Sequence, residues 1–174
     1  IPRCHHPGIE AGAVTTEKTM NMPHPQLIPL AEDLGIPASW YTIALSAELK
    51  PGTILPFTLA GISLLAYRTA SGTACVVEDR CPHLGGSFSK GSVVGNHIRC
   101  PVHGFAFDTV GTCVETGFSE VSSKACINQW PVLDSNGLVM VFYHPQGQAP
   151  AWQPEAVDWQ GWSAQIMQTA TFPA

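Results

Sequence analysis

The chain has 174 residues, with eight Lys and Arg against thirteen Asp and Glu, a formal net charge of −5. Only 12% of residues are charged, roughly half the usual share, while sixteen glycines and fifteen prolines stand above it. That balance excludes disorder, coiled coils and helix bundles, whose solvated helices need many Lys, Glu and Arg, and scattered cations without a basic run exclude nucleic-acid binding.

In chain order, residues 1–37 read as an N-terminal tail, proline-rich and without periodicity, with a short helical turn over Leu27–Leu34. The first residue is Ile1 and no secretory signal pattern follows, so the sequence reads as a fragment or trimmed chain. From Trp40 the texture changes. Tyr41–Leu45, Ile54–Leu59, Ile62–Tyr67 and Ala74–Glu78 are predicted strands, separated by Lys50-Pro51-Gly52, Ala60-Gly61 and Ala70-Ser71-Gly72, all turn chemistry. From Arg80 to Gly117 strand signals thin out, and the stretch reads as a functional insertion rather than core. Strands resume at Gln129–Leu133 and Leu138–Tyr143, joined as a hairpin across Asp134-Ser135-Asn136-Gly137. Short strands at this spacing predict an all-β antiparallel sandwich or barrel over residues 38–150, followed by a C-terminal extension or linker, 151–174. The longest apolar run, Ile54–Tyr67, has 14 residues and is broken by Pro56 and Gly61. A bilayer span needs about 20, so no membrane span is expected and the chain reads as cytoplasmic.

The chemistry concentrates in Cys81-Pro82-His83-Leu84-Gly85-Gly86 and Cys100-Pro101-Val102-His103-Gly104, a C-x-H-x16-C-x-x-H spacing. Two thiols and two imidazoles in two mixed pairs can hold a metal centre, and the Gly/Pro loops let nearby side chains converge. Structural zinc groups like ligands, as C-x2–4-C and H-x3–5-H, which these mixed pairs do not match. Blue copper takes two His, one Cys and a weak axial Met; here there is a second Cys and no suitably placed Met. A [2Fe–2S] cluster in which two His replace two Cys on one iron fits best.

These pairs resemble the Rieske motif residue by residue, including the Pro after each Cys and the Gly after His103. The resemblance implies a Rieske-type fold with a small cluster-binding subdomain at about 80–118. It also implies that Cys81 and Cys100 hold one iron and His83 and His103 the other. Leu84, Gly85, Gly86 and Gly104 would then supply turns and backbone N–H groups toward the cluster. In the respiratory members each loop carries an extra Cys, forming a disulfide, and a Ser follows the second His-Gly. Here those positions are Gly86, Val102 and Phe105, which implies a low-potential cluster.

Over about Ser39–Gln153 the chain also resembles the N-terminal domain of Rieske non-haem iron oxygenases, particularly the steroid and cholesterol ring-oxygenase and desaturase group. Trp40-Tyr41, Glu48-Leu49-Lys50-Pro51-Gly52, Phe105-Ala106-Phe107-Asp108, Asn136-Gly137-Leu138 and Tyr143-His144-Pro145 carry this likeness. It implies a reductase or ferredoxin as electron donor and an oxygenase catalytic domain or subunit as acceptor. Such a domain binds iron through two His and a carboxylate. Beyond His103 the sequence has only His144, so no such triad is expected in this chain. Two readings stand: the Rieske domain of a larger oxygenase, cut near a domain junction at Ala174, or a complete soluble Rieske ferredoxin. A redox sensor is a third, supported by no feature of the sequence.

The remaining candidates have plainer expectations. His83 and His103 should face the surface, His97 should be a solvated loop or strand residue, and Cys75, Cys113 and Cys126 should be small buried hydrophobes. Phe105 and Phe107 should pack beneath the second loop. Cys4, His5 and His6 belong to the tail, and Trp152, Trp159 and Trp162 either face a partner domain or fold back.

Overall fold

A computed structural model describes residues 35–117 and 125–161. The expected helical turn, Cys4, His5, His6, His24, Trp162 and the chain end at Ala174 lie outside the described residues. The described chain is nearly all β, with strands β1 (Ser39–Leu45), β2 (Ile54–Leu59), β3 (Ile62–Arg68) and β4 (Ala74–Glu78). A 3-10 turn (Phe88–Lys90) precedes β5 (Ser92–Val94), β6 (His97–Arg99), β7 (Ala106–Phe107) and β8 (Cys113–Glu115). The last strands are β9 (Gln129–Trp130), β10 (Val132–Ser135) and β11 (Leu138–Tyr143). They form three antiparallel sheets, ordered β1-β11-β10, β2-β3-β4-β9 and β5-β6-β7-β8.

The second sheet is the middle layer. Side chains alternate faces along a strand, and on β3 and β4 both parities are buried. Leu64, Ala66 and Val76 pack with Val139 and Val141 of β11. Leu65, Tyr67, Cys75 and Val77 pack on the other side with Phe88, Ile98, Phe105, Phe107 and Cys113. Two-sided burial is why these strands read as continuous apolar runs rather than clean alternation. It also corrects the expectation for residues 80–117. That segment is a four-stranded sheet whose inward side chains form half of a core, with strands too short (two or three residues) to show a period in the sequence.

A second difference lies at Pro131. The expected single strand Gln129–Leu133 is two strands in different sheets: β9 pairs with β4, and β10 pairs with β11. Proline has no N–H for a ladder, and the chain changes sheet there, with the Pro131 carbonyl accepting the Phe142 N–H at 2.9 Å. Arg68 ties the two sandwich sheets together at their edge. From the end of β3 it donates to the Gly72 carbonyl at 2.7 Å, the Asp134 carboxylate of β10 at 2.6 Å and the Ser46 hydroxyl at 3.1 Å, and also to the Leu49 carbonyl.

Two of the sandwich hairpins share one turn type. Asn136 and Gly137 (φ 55° and 75°) join β10 to β11, and Ala60 and Gly61 (φ 52° and 74°) join β2 to β3. Two-residue loops with both φ positive match the twist of the strands they connect, and Asn-Gly suits them. Ala60 does not, because its Cβ crowds the backbone in the left-handed region. Ala60→Asn is therefore expected to stabilise the fold by about 0.5–1 kcal/mol, seen as a higher urea midpoint with unchanged slope. Ala60→Val should lower it.

Candidate metal centre

Cys81–Gly86 and Cys100–Phe105 form the same loop twice. In the first, the Gly85 N–H donates to the Cys81 carbonyl (2.9 Å) and the Cys81 N–H to the Gly86 carbonyl (2.7 Å). In the second, the Gly104 N–H donates to the Cys100 carbonyl (3.1 Å) and the Cys100 N–H to the Phe105 carbonyl (2.8 Å). The offsets from cysteine are identical, four and five residues. Both turns pass through a left-handed residue, Gly85 at φ 75° and Gly104 at φ 70°, where a side chain would strain the backbone.

The loops put their thiols below and their imidazoles above. Cys81 and Cys100 are 1% and 2% exposed and belong to the core cluster shared with β3 and β4. Burial, aided by the neighbouring Cys100 thiol, pushes Cys81 up to about 11, while the backbone N–H of His83 pulls the other way. At neutral pH the metal-free thiol is protonated, and a metal must displace that proton. Above them His83 is exposed and His103 half-exposed, with ring centroids 4.9 Å apart and nearly perpendicular. His83 stacks on Phe105 at 4.3 Å and 18°. Phe105 thus lies directly against an imidazole; the F-A-F alternation signalled its burial, but no sequence feature signalled that contact. The neighbours of the histidines, Leu84 and Val102, are 71% and 54% exposed.

Among the described residues no three His, Cys, Asp or Glu side chains converge as a single-ion site requires. The donors come instead as a thiol pair and an imidazole pair on opposed loops. That arrangement fits a two-iron centre with two protein ligands per iron. The space between the loops is also fixed: a Cβ on Gly86 would lie 2.6 Å from Val102 Cγ2 and 3.0 Å from Cys100 Sγ.

Of the other candidates, Cys75 and Cys113 are buried free thiols as expected, both shifted upward by burial. Cys126 departs from expectation, being half-buried and disulfide-bonded, which spacing in the sequence does not reveal. His97 sits half-buried on β6. His144 is at a turn, its Nδ1 accepting the Gln146 N–H at 3.1 Å. The C-terminal extension folds back through its main chain: Trp40 Nε1 donates to the Trp152 carbonyl (2.8 Å), and Asn136 exchanges hydrogen bonds with the Glu155 carbonyl and the Val157 N–H (2.8 and 2.7 Å). Trp152 and Trp159 remain exposed.

Residues 39–131 match the family model of the Rieske [2Fe-2S] domain, and the chain belongs to that family. Its cofactor is accordingly a Rieske-type [2Fe–2S] cluster, and its role is electron transfer. A cholesterol 7-desaturase of Xenopus laevis is 41% identical over 119 residues, 67% of this chain and 26% of that protein. A probable 3-ketosteroid-9-alpha-monooxygenase oxygenase component of Rhodococcus rhodochrous is 31% identical over 124 residues, 68% of this chain and 31% of that protein. The crystal structure of apo dicamba monooxygenase superimposes with a TM-score of 0.60 at 29% identity, covering 67% of this chain and 37% of that one. The chain thus spans roughly a quarter to a third of the curated relatives it matches.

The contact across the loops can be tested directly. Gly86→Ala should overpack the site by about 1–3 kcal/mol and lower the iron content and visible absorption of purified protein. Adding Val102→Ala removes the closest clashing methyl and should restore part of the loss. Equal iron content in wild type and Gly86→Ala would show that the loops are not held at this spacing.

Proposed function

We propose that residues 38–150 are the electron-input domain of a Rieske non-haem iron oxygenase. Cys81 and Cys100 hold one iron of its cluster, and His83 and His103 the other. The observation that carries this reading is the pair of matched loops with thiols buried and imidazoles at the surface. When bound, the cluster supplies reversible one-electron chemistry. Two neutral imidazoles replacing two thiolates remove negative charge, raising the potential from about −400 mV into the range of about −150 to +300 mV.

The chain's own residues decide the rest. The buried sheet beneath Cys81 and Cys100 keeps water from the thiol side, the side where hydrogen bonds and exposure tune such a centre. Exposed His83 and half-exposed His103 bring the opposite side within reach of a partner. A reductase or ferredoxin is the donor and an oxygenase catalytic domain or subunit the acceptor. That domain, outside this chain, would perform the hydroxylation or desaturation. Similarity to cholesterol 7-desaturases and to a 3-ketosteroid monooxygenase component supports an oxygenase setting.

Three positions support the low end of the potential range. Gly86 and Val102, where respiratory members carry the disulfide, meet each other here without sulfur. Phe105 stands where those members carry a hydroxyl donor, and offers a ring face to His83 instead. The expected midpoint is on the order of −150 mV. An EPR-monitored titration of the loaded chain giving a value above about +100 mV, inside the upper part of the Rieske range, would overturn the assignment.

A further inference from the structure

The two ligand loops match in their internal hydrogen bonds but differ in how their ends are held. The second connects paired strands: Arg99 lies opposite Ala106 and Ile98 opposite Phe107 in the β6–β7 ladder, so both ends of the loop are fixed. The first has no ladder beneath it. It leaves β4 after Glu78 and returns into the 3-10 turn Phe88–Lys90.

Asp79 stands at that exit. Its N–H donates to the Ser63 carbonyl of β3 at 3.0 Å, fixing the residue to the middle sheet. Its carboxylate accepts the Ser87 hydroxyl, which lies 3.0 and 2.9 Å from the two oxygens, and the Ser89 N–H at 2.8 Å. With its proton directed at the carboxylate, Ser87 accepts from the Ser89 hydroxyl 2.6 Å away. One carboxylate therefore joins the residue before the loop to two residues after it, through charge-assisted bonds stronger than neutral ones. Phe88, between the serines, is fully buried and meets Phe107 edge-on at 5.6 Å, which anchors the clasp under the second loop. The carboxylate oxygens are turned to these donors, which leaves Asp79 a supporting group and not a ligand.

We infer that Asp79 is a positioning residue for the cluster: with Ser87 and Ser89 it closes the open base of the first ligand loop, as the β6–β7 ladder closes the second. This rests on the assignment of Cys81 and His83 as ligands. Removing the clasp frees the Cys81–Gly86 loop to move relative to the Cys100–Phe105 loop while the sandwich below stays folded.

The test uses the cluster-loaded full chain as wild type, Asp79→Ala, Asp79→Asn and Ser87→Ala. Iron release to a ferrous chelator, the EPR g-values of the reduced cluster and the thermal midpoint are measured together. Asp79→Ala should release iron about 10- to 100-fold faster, the usual cost of losing a support of this kind, with altered g-values. Asp79→Asn keeps an acceptor oxygen and should stay within a few-fold of wild type. Ser87→Ala, which keeps the Ser89 N–H bond, should fall between. Wild-type release and g-values in Asp79→Ala would overturn the inference, as would a lowered thermal midpoint with both unchanged. Should Asp79→Ala fail to fold, Ser87→Ala decides: faster release supports the clasp and a wild-type rate overturns it. A wild-type chain without a Rieske EPR signal would overturn the ligand assignment, and the inference with it.

Discussion

The burial of β3 and β4 on both faces is the constraint on which the rest of the molecule depends. A strand covered on one side can carry its polar residues outward; one covered on both must be apolar at nearly every position. Leu64, Leu65, Ala66 and Tyr67 are completely buried in succession, and so are Val76 and Val77. Each large side chain so buried contributes about 1.5–3 kcal/mol relative to exposure. The benefit is architectural as well as energetic. One face of the sheet closes the sandwich against β11, and the other is the floor on which β5–β8 and both cysteine–histidine loops stand.

That floor explains the polarity of the site. Cys81 and Cys100 are members of the same packed cluster as Leu65, Tyr67 and Val77, so the thiols face a dry interior. The two loops rise from it by the same pair of hydrogen bonds and the same left-handed glycine, which carries His83 and His103 to the outer surface. The result is a buried sulfur side and a surface nitrogen side. The fold produces them by placing one loop at the end of β4 and the other at the end of β6. The unequal support of the loops follows from the same placement. β6 continues into its own partner β7, whereas the strand that follows β4 pairs elsewhere, and a carboxylate substitutes for the missing ladder.

Much of the fold was legible because its strands are long or flanked by decisive turns. β2, β4 and β11 fall on the expected residues, and Asn136-Gly137 is the tight turn its dipeptide announces. Strands of two or three residues, as in β5–β8, are shorter than any period a sequence can display, and what marks them is pairing with one another and packing on β3 and β4. The strand expected over Gln129–Leu133 runs through Pro131, where the chain instead crosses between sheets. The half-buried, disulfide-bonded Cys126 was similarly illegible, since a thiol beside apolar residues has the same local signature whether paired or not.

By itself the sequence determined the candidate chemistry: two thiols and two imidazoles at one spacing, with glycines where the backbone must turn left-handed and a proline after each of the two loop cysteines. These are local properties, because a loop of six residues closes on itself and needs only its own composition. It also determined the all-β class through turn residues and strand composition. Tertiary structure alone decided that the loops face each other, that Gly86 lies against Val102 and Cys100 Sγ, that Phe105 meets His83, and that Asp79 reaches Ser87 and Ser89. Each of these is a contact between segments brought together by packing on β3 and β4. Such contacts depend on the position of a whole sheet, which no short stretch of residues encodes.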